Sequence, residues 1–170
     1  MTIAIINTYY VVKSIHNMAA LVTFGVAFVY PIAFAVATRH DPRSLPALHR
    51  IESTIERTLI VPGLLVVVLT GIDITSIAHH WGQFFVQWGL SAAVVIGVLV
   101  TAVMIPNAER AAALAERDLT ASAAGASGAA GVVSLSGEYR ALARRLLMLG
   151  LLLSAIILIT ILFMAVGFNP

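Results

Sequence analysis

The sequence predicts an all-α membrane protein: a four-transmembrane-helix bundle with both termini on the outer side. Sixty per cent of the 170 residues are hydrophobic and 11% are charged, against about 25% charged in an average soluble domain. A water-facing surface cannot be furnished from so few charges. Four stretches reach the roughly 20 mainly apolar residues that a bilayer-crossing helix needs, and all nine arginines lie in two of the connections between them or, for Arg144 and Arg145, in the adjoining first turn of the last stretch. Positive residues stay on the cytoplasmic side of a membrane, so both of those loops read as cytoplasmic and both ends as external.

The spans fall at about 9–38, 58–78, 84–105 and 142–168 of a single membrane domain, 1–170. Lipid offers no hydrogen bonds to a bare backbone, so each must be helical. Pro31 and Pro62 lie inside the first two and should kink them. The first cytoplasmic loop, 39–57, carries Arg39, Arg43, Arg50 and Arg57; Pro46 is placed to open the second helix early. The second loop, 107–141, begins with Glu109, Arg110, Glu116 and Arg117 on an alanine background that favours prolonging the third helix. It continues as a low-complexity linker of small residues, 120–135, until Ser136 offers an N-cap for the last helix with Glu138 in its first turn. In the third span Gly89, Ala93, Gly97 and Thr101 recur every four residues, a strip along which another helix can approach closely. It either closes the chain's own bundle or forms a seam for a homo-oligomer or a larger membrane complex.

Absence of cysteine excludes disulfides, iron–sulfur clusters and thiol chemistry. Ten basic against eight acidic residues, with the basic ones flanking apolar spans, give no stripe for nucleic acid. Met1 to Ile5 lacks the basic region and cleavage site of a signal peptide, so residue 1 onward reads as mature protein. Arginine and alanine usage is that of a bacterial chain, which places the protein in the cytoplasmic (inner) membrane with the bilayer as its first partner.

Ionisable groups inside a span are costly and therefore functional candidates. His16 lies 23 residues from Arg39 and His80 lies 23 residues from Arg57, each about 35 Å from the arginines along a helix. Asp73 is about 24 Å from Arg57 on the same scale. Lys13, His16 and Asn17 share a helix face, as do Thr70, Asp73 and His80. An outer-leaflet cluster follows, with His16 and His80 as candidate ligands for haem b or a copper or zinc ion, and Lys13 and Asp73 beside them as orienting groups or an ion pair. The plain alternative leaves Lys13 and His16 among lipid headgroups and His79 and His80 in a solvated turn beside Trp81. His40 and His49 fall in the arginine-rich loop and read as solvated. Glu52 and Glu56 read as a solvated charge pattern. No nucleophile with a base, phosphate loop or carboxylate pair points to an enzyme.

Lys13-Ser14-Ile15-His16 in the first span, Ile55-Glu56-Arg57-Thr58-Leu59-Ile60-Val61-Pro62-Gly63 and Leu69-Thr70-Gly71 in the second, and Phe163-Met164 before Pro170 carry a resemblance. The whole chain resembles an uncharacterised bacterial family of four-span integral membrane proteins. More distantly it is similar to the membrane domain of CopD-type copper-resistance proteins and to HemJ-type protoporphyrinogen oxidases, which share a Lys-x-x-His in the first helix and an arginine before a proline-bearing second helix. The resemblance implies His16 as a haem or metal ligand, with Lys13, Arg57 and Pro62 at matching positions. Gln87 and Trp88 stand where the HemJ pattern has a lysine. Three functions are therefore carried forward: a non-enzymatic protein with a polar outer-leaflet site for haem or metal, an accessory subunit of a larger complex, and a small oligomeric transporter.

Overall fold

The computed structural model describes residues 2–125 and 133–167, and these contain helices and no strand. In chain order they are α1 (Thr2–Gly25), α2 (Tyr30–His40), α3 (Leu45–Ile55), α4 (Val61–Ala78), α5 (Phe84–Leu99), α6 (Ile105–Gly125) and α7 (Gly137–Val166). Short pieces of irregular winding join them into four rods, Thr8–His40, Pro42–Ala78, Phe84–Ala124 and Gly137–Val166, each long and apolar enough to cross a membrane. The rods have 33, 37, 41 and 30 residues; at about 1.5 Å per residue all exceed a hydrocarbon core of about 30 Å. The surplus lies at the end of the bundle that carries the arginines. Elsewhere the outer surface is apolar, with Leu21, Val22, Leu65, Leu69, Val94, Val98, Leu151 and Leu158 all exposed. Water would penalise such a belt, and acyl chains do not.

The irregular pieces have a common cause. A proline ring clashes with the carbonyl four residues before it and supplies no N–H. Val26–Phe28 is a tight 3₁₀ turn ahead of Pro31, whereas Glu56–Ile60 and Val100–Met104 are wide π turns ending two residues before Pro62 and Pro106. The two π turns touch each other across the bundle. Pro106 produces the same device as Pro62, although only Pro31 and Pro62 stand out when the spans are read from sequence.

Neighbours in the chain are neighbours in space. α1 packs on α4, α3 on α6, α4 on α5, and α7 on both α5 and α6; α2 meets α3 and touches α7 only lightly. The closest approaches use glycine. A β-carbon on Gly63 would run into the Thr23 side chain of α1, and one on Gly89 into the methyl end of Met164. Gly97 would meet Leu64 Cδ2 at 3.3 Å. The small-residue strip is thus divided within the chain, Gly89 toward α7 and Gly97 toward α4, with Ala93 packed on the core. Thr101 is exposed and returns its hydroxyl to the Gly97 carbonyl at 2.7 Å.

At the arginine end α3 lies against a face of alanines, Ala108, Ala111, Ala112 and Ala115, all buried. Ion pairs flank this seam: Arg50 with Glu116, Arg57 with Glu109 at 2.7 Å, and Arg110 with Glu138 at 2.8 Å. α6 remains helical to Gly125, past the position where the linker 120–135 is expected to begin, and 126–132 lie outside the described residues. α7 starts at Gly137, earlier than the expected span, because the Ser136 hydroxyl caps it by accepting from the Tyr139 amide at 3.2 Å.

Candidate functional site

The outer-leaflet residues are placed as follows. His16 is half-buried on α1, and its Nδ1–H donates to the Val67 carbonyl at 3.0 Å and the Thr70 hydroxyl at 3.1 Å on α4. A carbonyl only accepts, so the proton sits on Nδ1 and the Nε2 lone pair is left over. Lys13 is exposed, with its ammonium 5.7 Å from the centre of the Tyr9 ring. Asp73 is exposed, and His80 is exposed beside the Phe85 ring. Among the described residues no hydrogen bond or ion pair joins Lys13, Asp73 or His80 to His16. Nor does any group of three or more histidine, aspartate and glutamate side chains there form a metal-ion cluster.

The arginine end holds a different assembly. On α3 and the turn that follows, Leu45, His49, Glu52, Glu56 and Ile60 fall on one stripe at spacings of three and four, and all are 5% exposed or less. Arg50, Thr54 and Arg57 occupy the opposite, exposed side. His49 and the two glutamates are therefore core residues, not the solvated groups that their place in a charged loop suggests. The signal is present in the sequence: these polar residues continue the apolar stripe of Leu45 and Ile60, and the arginines do not share it.

His49 Nδ1 donates to Glu52 Oε2 at 3.1 Å, and its Nε2 lies 3.2 Å from the Tyr139 hydroxyl on α7. Because a carboxylate oxygen only accepts, Nδ1 carries a proton, and Nε2 makes the second hydrogen bond with the Tyr139 hydroxyl. The Phe34 ring lies 4.4 Å away, centre to centre. Both nitrogens are thus used, and His49 has no lone pair left for a metal. One turn further along, Glu56 is buried with its Oε2 unpartnered, and so is the Tyr30 hydroxyl from α2.

These groups open onto a cavity of about 480 Å³ that runs between α2 and α7 toward the middle of the bundle, within the range of roughly 300–1,000 Å³ typical of small-molecule sites. Its deep walls are apolar: Phe24, Ile60, Ile96, Val100, Leu153 and Ile157. Its mouth carries Arg39, Arg140 and Arg144. Both π turns contribute to the lining, Glu56 and Ile60 from one and Val100 and Met104 from the other. Wide turns of this kind recur at functional sites, because the extra residue re-aims side chains that a regular helix would place elsewhere.

No family model, curated protein or solved structure matches this chain.

Its charges are unevenly satisfied. Arg50, Arg57, Arg110 and Arg117 each have a carboxylate partner on the α3–α6–α7 seam. The three arginines at the mouth have no ion-pair partner among the described residues. An unpaired guanidinium trio at the entrance, buried polar groups one level in and an apolar blind end form a gradient of polarity along the rods. Bilayer lipids present the same gradient in the same direction.

Proposed function

We propose that this chain is a multi-pass protein of the bacterial cytoplasmic membrane that binds a membrane-soluble amphiphile in the leaflet next to its arginine end. In this reading the two arginine-bearing loops are cytoplasmic and both termini are external. The observation that carries it is the cavity between α2 and α7, whose apolar depth fits an acyl or isoprenoid chain and whose mouth holds three unpaired arginines. An anionic headgroup such as a phosphate would receive charge-assisted hydrogen bonds there. The weak packing of α2 on α7 supplies an entry path from the side.

The test is native mass spectrometry of protein extracted gently from membranes, or incubated with phospholipid vesicles, comparing wild type with Gly150→Phe. Gly150 lines the cavity, and a β-carbon there meets nothing within 4 Å, so a bulky side chain can be introduced there without a clash at its first atom. Wild type should retain an amphiphile and Gly150→Phe should lose it with its helical content unchanged. Equal retention by both, or none by wild type, would refute the assignment.

A second reading is supported by His16. Its Nδ1–H is held by a backbone carbonyl, the arrangement that fixes the orientation of a ligating imidazole, and its Nε2 is unused. This favours His16 as an axial haem or metal ligand in the outer leaflet, completed by a group from a second copy or another subunit. A Soret band, or bound metal lost in His16→Ala, would support it; a colourless, metal-free wild-type preparation would remove it.

A further inference from the structure

We infer that the amphiphile is zwitterionic and carries a primary ammonium group, which docks against Glu56 and Tyr30 while its anionic group sits at Arg140 and Arg144. This rests on the cavity's being an amphiphile site and adds the chemistry of the headgroup. Glu56 is 3% exposed. A carboxyl buried to that degree ordinarily has its oxygens satisfied, yet Oε2 of Glu56 has no partner, and the Tyr30 hydroxyl in the same cavity wall has none either. Protein groups account for the neighbouring polar atoms: Glu52 Oε2 is taken by His49, and His49 in turn by Tyr139. Two unsatisfied atoms, one an acceptor and one both donor and acceptor, thus belong to side chains in the wall of the same cavity, where a small side-chain rotation brings them to a bound headgroup.

Charge selects what fills it. Two carboxyl side chains, Glu52 and Glu56, line the inner wall, and His49 between them is engaged on both sides. An ammonium placed there would supply N–H donors to the carboxyl oxygens and favour the charged form of Glu56, whereas an anion brings neither donors nor a compensating charge. The aromatic surfaces of Tyr30, Phe34 and Tyr139 also line the cavity, and these favour a cation. The other wall is opposite in sign. Tyr139 on α7 is level with His49, to which it is bonded, and Arg140 and Arg144 follow within about 7.5 Å of helix rise. The unpaired guanidiniums therefore stand near the level of Glu52 and Glu56, on the opposite rod. A headgroup with its phosphate and ammonium a few bonds apart spans such a site crosswise, and a purely anionic or purely cationic one satisfies only one wall. A quaternary ammonium has the charge but no N–H for Oε2.

The experiment uses full-length protein in mixed-lipid nanodiscs or detergent, with competition between phosphatidylethanolamine, phosphatidylcholine and phosphatidylglycerol of identical acyl chains, read by native mass spectrometry. Wild type should prefer phosphatidylethanolamine over both competitors by about tenfold, the scale of one charge-assisted hydrogen bond. Glu56→Gln should abolish that preference while lipid retention persists, and Tyr30→Phe, which changes one hydroxyl and no charge, should reduce it several-fold. Arg140→Gln with Arg144→Gln should weaken all phospholipids together. Retention without headgroup preference, or a preference unchanged in Glu56→Gln, overturns this inference and leaves the amphiphile site standing. Failure to retain any lipid overturns both. Unchanged helical circular dichroism in Tyr30→Phe guards against reading misfolding as lost recognition.

Discussion

At His49 one hydrogen bond and one ring contact tie three rods together: the imidazole on α3, bonded to Glu52 of its own helix, meets the Tyr139 hydroxyl of α7 and lies against the Phe34 ring of α2. Truncating one member of such a buried set leaves the others uncompensated, which costs about 3 kcal/mol or more. His49→Leu should therefore lower the thermal midpoint in detergent sharply, and adding Glu52→Leu should recover part of the loss by removing the stranded carboxyl. If the double variant is no more stable than the single, the network is not what holds this seam. Glycine positions offer a second residue-scale contrast. A β-carbon at Gly63 meets the short, branched Thr23 side chain, 1% exposed, which has nowhere to turn. At Gly89 it meets the far end of Met164, a flexible chain that can take another rotamer. Gly63→Ala should cost roughly 1–3 kcal/mol as an overpacking change, and Gly89→Ala distinctly less, by denaturation of the purified variants. Neither partner is legible in the sequence, because a glycine announces a close approach without saying to what.

Among the elements, the joint between α6 and α7 depends on Asp118. Its Oδ2 accepts from the Ser136 amide at 2.8 Å, while Ser136 caps α7. Asp118 lies in the charged extension of α6, beyond the apolar span. Hydrogen bonding from the Ser136 hydroxyl, then from the Ser136 amide and Arg117, outweighs the opposing effect of burial and holds the carboxyl below its ordinary range. A depressed carboxyl stabilises the fold above its unfolded pKa, and the contribution is lost as pH falls through the lower folded value. Amide protection in the first turn of α7 should accordingly be constant near neutrality and fall in acid below the usual aspartate range. In Asp118→Ala it should already be low at neutral pH, with no further loss in acid attributable to this joint. Equal protection in the two proteins would show that Ser136 caps the helix unaided. Ser136 and Glu138 are recognisable as a helix start from sequence alone, whereas Asp118, 18 residues upstream, is brought to them only by the fold. The proline-linked π turns follow the same division: the prolines are visible in the chain, but a tight 3₁₀ turn at Pro31 and wide turns at Pro62 and Pro106 are outcomes of packing.

At the scale of the whole molecule, the four rods share an apolar belt and a single arginine-bearing end. The proposed threading sends that end into the cytoplasm and both termini outward. Alkaline phosphatase fused to the C-terminus should be active, and a fluorescent protein that folds only in the cytoplasm should be dark at the same site. The reverse pattern would invert the threading and move the amphiphile cavity to the outer leaflet, though its lining would be unchanged. The bundle is closed tightly along α1–α4, α3–α6 and α5–α7 and loosely between α2 and α7, so the opening lies at the seam between the chain's first and last rods.

Apolar length, arginine placement and proline positions are properties of the chain itself, because each acts through the solvent or the local backbone; from them follow the number of helices and the end at which they carry charge. Which polar residues are buried is decided by rotation and contact. Five stripe residues from Leu45 to Ile60 turn inward because α6 offers an alanine face and α7 offers Tyr139, and neither is encoded near them in sequence. That rotation makes His49, Glu52 and Glu56 into the walls of a cavity, while His16, Lys13, Asp73 and His80, equally prominent in the sequence, are joined to one another by no hydrogen bond or ion pair among the described residues.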